Sequence, residues 1–214
     1  MLKVGLTGGI ASGKSVVGEM FVALGAHLVQ ADRIARTLIQ PGQAVYNEVV
    51  RHFGREILNP DGSVNRTKLA DAAFGSTPSA DDKSSRAEEL NRIVHPAVIR
   101  SQEEWMEEMG RQDPHAVAIV EAALILEAGA GKRFDRLIVV TCNEEQRVAR
   151  FAARQKMSID DARKEVARRM AAQLPDEEKI KAAAFVIDNS GSLDKTRAQV
   201  REVWQPLRSE ATPP

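Results

Sequence analysis

One cysteine, Cys142, stands in 214 residues. An internal disulfide framework is therefore excluded, a structural zinc site has no support, and a reducing compartment, the cytoplasm, is expected. Excess charge of either sign is also missing, because Lys plus Arg and Asp plus Glu number 30 each. With no global field to draw the chain to nucleic acid or an anionic membrane, anion binding has to be local. Long apolar runs are lacking too: only Leu2 and residues 4–6 precede the first glycine pair, so neither a signal peptide nor a membrane span is expected. Neither internal repeats nor low-complexity tracts occur. The remainder, 43% hydrophobic and 28% charged, has the composition of a soluble globular protein with one substantial core and appended lobes.

Five short apolar runs, residues 4–7, 27–30, 116–120, 137–141 and 184–187, alternate with helical patterns. That alternation predicts an α/β fold with a central five-stranded parallel sheet and crossover helices. The first helix is expected to run from Lys14 to Leu24 and to stop at Gly25. Between the second and third runs, residues 32–113 contain no strand pattern but several helical ones, at 45–53, 66–74 and 87–94. A plain crossover needs far fewer residues, so this stretch reads as a helical insertion overhanging the carboxyl edge of the sheet, where ligands bind. Within it, residues 58–63 read as a turn and residues 76–83 as a polar loop rich in breakers. A second helical, densely charged stretch covers 144–183, with breaks at Met157-Ser158 and Leu174-Pro175. The nucleotide-binding core is then 1–31, 114–143 and 184–214.

The most informative motif is Gly8-Gly9-Ile10-Ala11-Ser12-Gly13-Lys14-Ser15, which fits G-x-x-x-x-G-K-[ST] and lies between the first apolar run and a helical segment. In that setting small residues let backbone N–H groups curl around phosphate oxygens, the helix N-terminus is positive, Lys14 adds a full charge and Ser15 offers a hydroxyl to Mg²⁺. A nucleoside triphosphate site is predicted.

Further candidates lie near strand ends. Asp32, two residues past the second run, can accept a proton from an attacking hydroxyl or hold a metal, or it can cap a helix starting at Arg33. Glu121 ends the third run, where an acid near Mg²⁺ often sits, and Glu127 ends the next apolar stretch; either can also be an ordinary surface carboxylate. Arg147, Arg150 and Arg154 share one helix face, with Arg168 and Arg169 on the next helix. Such guanidiniums suit triphosphate, although the commoner meaning of the run is a solvated face paired with Glu144, Glu145 and Asp161. Pro96 suits a first helical position, so His95-Pro96 reads as the start of a helix that includes Arg100 and Trp105. Cys142 reads as structural.

Taken together, the chain resembles the dephospho-coenzyme A kinase family. The resemblance runs from Leu6 to about Val200 and rests on the segments LTGGIASGKS (residues 6–15), ADRIAR (31–36), HPAVIR (95–100), LILE (124–127), RMAAQLP (169–175) and VIDNSG (186–191). It implies a P-loop NTPase three-layer fold with a CoA-binding helical lobe at 32–113 and a helical lid at 144–183. Its implied activity is transfer of the ATP γ-phosphate to the ribose 3′-hydroxyl of dephospho-CoA, the last step of coenzyme A synthesis, by a monomer or small homo-oligomer. By the same resemblance Asp32 is the base, and Lys14, Arg154 and Arg169 serve catalysis. Gly9, Ile10, Ala11, Ser12, Gly13, Lys14, Ser15 and Val16 bind ATP, with Asn189 near adenine and Ser15 on Mg²⁺. His95 and Arg100 lie near the acceptor. Several positions depart from the family pattern: Ala11 stands for a common glycine, Val16 for a frequent threonine, Glu121 for a usual Asp, and Ala122-Ala123 for a usual Val-Pro. Ala11 can fit where its φ is negative, and Val16 can pack under the loop, so neither is expected to abolish binding.

Overall fold

The computed structural model describes residues 1–74 and 80–212. Its strands are β1 (Leu2–Thr7), β2 (His27–Gln30), β3 (Val117–Glu121), β4 (Arg136–Thr141) and β5 (Phe185–Asp188), which form one parallel sheet in the order β2-β3-β1-β4-β5. Each predicted apolar run is a strand. The near-continuous hydrophobicity of β1, β3 and β4 follows from burial on both faces, as a parallel sheet between helical layers requires. Side-chain alternation along β4 shows the two layers: Ile138 and Val140 face one apolar cluster, Leu137 and Val139 the other.

Helix α1 (Lys14–Val22) lies on the first face and contributes Val17 and Phe21 to the larger cluster. The long C-terminal helix α9 (Leu193–Ala211) packs beside it, with the Phe21 and Trp204 ring centroids 6.4 Å apart. The end of α1 is two residues short of the predicted one. Amide bonds from Gly25 to the Val22 carbonyl (2.9 Å) and from Ala26 to the Phe21 carbonyl (3.0 Å) close it as a Schellman turn, with Gly25 at φ 106°.

Contacts divide the chain into two compact units, residues 1–30 with 106–214, and residues 31–105. The second holds α2 (Ala31–Leu38), α3 (Ala44–Phe53), α4 (Arg66–Phe74) and much of α5 (Ala80–Gln112) around Val45, Val49, Phe53, Ile57, Val64 and Leu69. The predicted turn at 58–63 is present, pinned by a lone antiparallel bridge from Leu58 to Val64. Two expectations change here. The predicted polar loop ends earlier than expected: residues 76–79 lie outside the described residues, and 80–83 belong to α5. Nor does a helix start at Pro96, which lies inside α5. Proline removes its own N–H from the ladder and crowds the carbonyl one turn back, and Leu90, Ile93, Val94 and Ala97 packing on a common core carry the helix through it.

In the first unit, α6 (Glu144–Gln155), α7 (Ile159–Ala171) and α8 (Asp176–Ala182) cover the charged stretch, and the two predicted breaks are observed. Asn143 and Ser158 cap α6 and α7 by accepting from the amides of Gln146 (2.9 Å) and Asp161 (3.1 Å).

Candidate active site

The loop from Gly8 to Gly13 leaves the carboxyl end of the central strand β1 and enters α1 at Lys14. Each of its carbonyl oxygens accepts a hydrogen bond from the protein. Lys14 Nζ donates to Gly8 O (2.9 Å) and Gly9 O (3.2 Å), and Gly9 O also accepts from the Ser12 amide (3.3 Å). Ile10 O accepts from Arg147 Nη1 (3.1 Å), and Ala11 O from the Cys142 thiol (3.7 Å). Ser12 O accepts from Asn189 Nδ2 (2.8 Å) and Arg150 Nη1 (3.3 Å), and Gly13 O from the Val17 amide (3.1 Å). With the carbonyls turned to the protein, the loop's donors are the groups left to meet an anion.

These contacts are tight enough to dictate glycine. A Cβ on Gly9 would come 2.1 Å from Arg147 Nη1, and one on Gly13 2.1 Å from Asn189 Nδ2. Ile10 is buried among Val148, Phe151, Ala152, Ala162 and Val166, so the loop's apolar residue is anchored in the α6–α7 pair. The Ser12 hydroxyl is buried and has no hydrogen-bond partner.

Two local expectations are corrected. Ala11 has φ 54°, not a negative φ. Left-handed backbone at a residue with a Cβ costs about 1–2 kcal/mol and persists only where neighbours enforce it. Val16 does not pack under the loop; it is 46% exposed, and the next residue, Val17, takes the buried place. Successive helical residues point about 100° apart, which leaves room for only one of them underneath.

Glu121 is buried at the end of β3 and lies between two partners. Ser15 Oγ donates to its Oε1 (2.7 Å) and Gln30 Nε2 to its Oε2 (2.8 Å). The parallel register sets Glu121 opposite both Leu6 and Gln30, so the carboxylate follows from strand pairing. Nothing in the sequence reading singled out Gln30. Only its cross-strand register identifies it.

Glu127 is no surface carboxylate. It pairs with the wholly buried Lys179 (2.9 Å) and accepts from the Leu174 amide (3.1 Å), joining the segment after β3 to the start of α8.

The arginine run divides by depth. Arg147 is 1% exposed, donates to Cys142 O (3.1 Å) as well as Ile10 O, and forms an ion pair with Asp176. Thus it belongs neither to a solvated face nor among groups open to a nucleotide. Half-buried Arg150 also donates to Asn189 O (2.8 Å). Arg154 and Arg169 are exposed and converge on one ring, each guanidinium about 5.5 Å from the Phe151 centroid (5.5 and 5.4 Å). Arg169 is further held by Glu165 (2.6 Å), which also binds Arg168; those hydrogen bonds, Arg168's foremost, pull the Glu165 carboxyl down to about 2. Asn189 is buried with both ends of its amide engaged, Nδ2 on Ser12 and Oδ1 accepting from Thr196 Oγ1 (2.9 Å). Its side chain serves the loop. Burial raises the Cys142 thiol pKa, which keeps the sulfur protonated.

Asp32, His95 and Arg100 belong to the second unit and are all exposed. Asp32 lies inside the first turn of α2, which starts at Ala31, so it is not a cap of a helix starting at Arg33.

A family model described as dephospho-CoA kinase matches residues 2–195. The dephospho-CoA kinase of Corynebacterium efficiens is 40% identical over 93% of this chain and 94% of its own. That of Moorella thermoacetica is 38% identical over 97% and 93%. Among solved structures, TT1252 from Thermus thermophilus superposes with a TM-score of 0.75 at 31% identity, covering 95% of this chain and 96% of that one. With a family model over residues 2–195 and identity of this order over nearly the whole chain, the chain belongs to the dephospho-CoA kinase family.

Proposed function

We propose that this chain transfers the γ-phosphoryl group of ATP to the ribose 3′-hydroxyl of dephospho-CoA, giving CoA and ADP as the final step of coenzyme A biosynthesis. The observation that carries this reading is the loop at residues 8–15, with the carbonyls of residues 8–13 all held by the protein and the Ser15–Glu121 pair at its end, in a chain of this family. A phosphate oxygen would also give the orphaned Ser12 hydroxyl a partner, so the residues suit the donor.

They suit Mg²⁺ as well. A hydroxyl and a carboxylate are the hard oxygen donors this ion takes, and Ser15 and Glu121 would hold it together with triphosphate oxygens. When bound, the ion supplies charge neutralisation on the β- and γ-phosphates. Lys14 binds the same phosphates from the loop side. Asp32 accepts the proton of the 3′-hydroxyl as it attacks in line, and Arg154 and Arg169 offset the charge of the migrating group. Residues 32–113, with His95 and Arg100, bind the acceptor, and 144–183 act as a lid that excludes water. Adenine then lies by the backbone of the turn at 189–191, since the Asn189 amide is engaged elsewhere. The enzyme works in the cytoplasm on two small molecules, as a monomer or small homo-oligomer.

A coupled ADP-release assay over a panel of acceptors tests the assignment. Release is expected with dephospho-CoA and not with AMP, UMP or free nucleosides. Equal release with those alternatives would refute it.

A further inference from the structure

We propose that Arg147, Arg150 and Asn189 are positioning residues for the phosphate loop: they hold Ala11 in its left-handed conformation and so keep the loop's donors facing the nucleotide. This rests on the reading of residues 8–15 as the ATP site. Ala11 lies between the two carbonyls these side chains grip, Ile10 O (Arg147) and Ser12 O (Arg150 and Asn189), while the Cys142 thiol takes its own. The peptide planes flanking Ala11 carry Ile10 O, held by Arg147, and Ala11 O, held by the Cys142 thiol, and Arg150 and Asn189 fix the next plane through Ser12 O; with these three successive planes held, the strained φ of 54° is imposed from behind the loop. Arg147 is itself fixed by Asp176 at the start of α8 and by the Cys142 carbonyl, and Asn189 by Thr196. The grip therefore belongs to the surrounding helices.

Without it, Ala11 leaves the left-handed region, which alanine disfavours by about tenfold in population. The Ile10 or Ser12 carbonyl is then free to swing toward the phosphates. ATP has to restore the original loop before it binds, and affinity falls by the population of the competent form. Glycine at position 11 carries almost none of this penalty, so it should rescue a loosened loop. A purely structural arginine would show no such dependence on residue 11.

The test is isothermal titration of the full chain with Mg·ATP, comparing Arg147→Met and Arg150→Met in the wild-type and Ala11→Gly backgrounds. With Ala11 in place, each substitution is expected to weaken binding about tenfold. KM for dephospho-CoA at saturating ATP should move less than about threefold. In the Ala11→Gly background, most of the lost affinity returns. Should Arg147→Met not fold, Arg150→Met alone decides, because it loses only the Ser12 and Asn189 carbonyl contacts. Unchanged ATP affinity, or a loss identical in the two backgrounds, overturns the proposal. A wild-type chain that fails to bind Mg·ATP in a Lys14-dependent way refutes the donor-site reading first, and the proposal with it.

Discussion

At Ala11 a single φ separates what the chain's letters show from what its fold enforces. The motif at residues 8–15 was legible because phosphate binding by a loop is local chemistry: small residues, one lysine and one hydroxyl within eight positions. The left-handed alanine was not legible, since its cause is a set of side chains 131 to 177 residues away from the carbonyls they hold. Arg147 escaped for the same reason, as periodicity marks a helix face but not whether that face meets solvent or a loop from the other end of the chain. Ala11→Gly relieves the strained φ, but it adds unfolded-state entropy and gives up the partly buried methyl that packs against the Ile10–Phe151 cluster, so these terms nearly cancel and unfolding free energy, read from the urea midpoint, should change by less than about 1 kcal/mol. Asp32→Asn should lower kcat on the order of 10²- to 10⁴-fold with little change in either KM, since asparagine keeps the shape but takes no proton. Steady-state kinetics with dephospho-CoA decide it, and near-normal turnover would remove Asp32 from the role of base.

The inner strands β1, β3 and β4 were the most readable elements, because burial on both faces writes itself as a near-continuous apolar run. Helix ends were less so. The start expected at Pro96 failed because the packing of Leu90, Ile93, Val94 and Ala97 outweighs one missing amide. Helix α7 carries a pH signature. Glu165, held near 2 by Arg168 and Arg169 against an ordinary value of 4.5, contributes stability fully above about pH 4.5, and loses it as pH falls through about 2. The stability difference between wild type and Glu165→Gln should therefore be flat above about pH 4.5, shrink as pH falls through the window and level off below about 2, as followed by urea unfolding at a series of pH values. Between elements, Glu127→Gln leaves the fully buried ammonium of Lys179 without a counter-charge, with neutral oxygens such as Gln173 Oε1 as its remaining acceptors, and should cost about 3 kcal/mol, visible in thermal unfolding. A shift near zero would mean that Glu127 does not pair with Lys179 in solution.

For the molecule as a whole, the division into a sheet-bearing unit and a helical unit could be anticipated from one fact, a connection between β2 and β3 too long for a crossover. One of its two boundaries falls at the junction of β2 and α2; the other lies inside α5, where no composition shift marks the place, and residues 144–183 group with the sheet-bearing unit. The account assigns donor and acceptor to different parts of the chain, so the reaction should need both substrates: ATP turnover without acceptor should be a small fraction of the coupled rate, and fast acceptor-independent hydrolysis would count against a water-excluding lid. The most direct measurement is the position of the new phosphate on the product, read by phosphorus and proton NMR after complete conversion of dephospho-CoA with ATP. The account predicts one phosphomonoester on the ribose 3′-oxygen and one ADP formed per product. A phosphate at any other position, or ADP released with dephospho-CoA recovered unchanged, would contradict it.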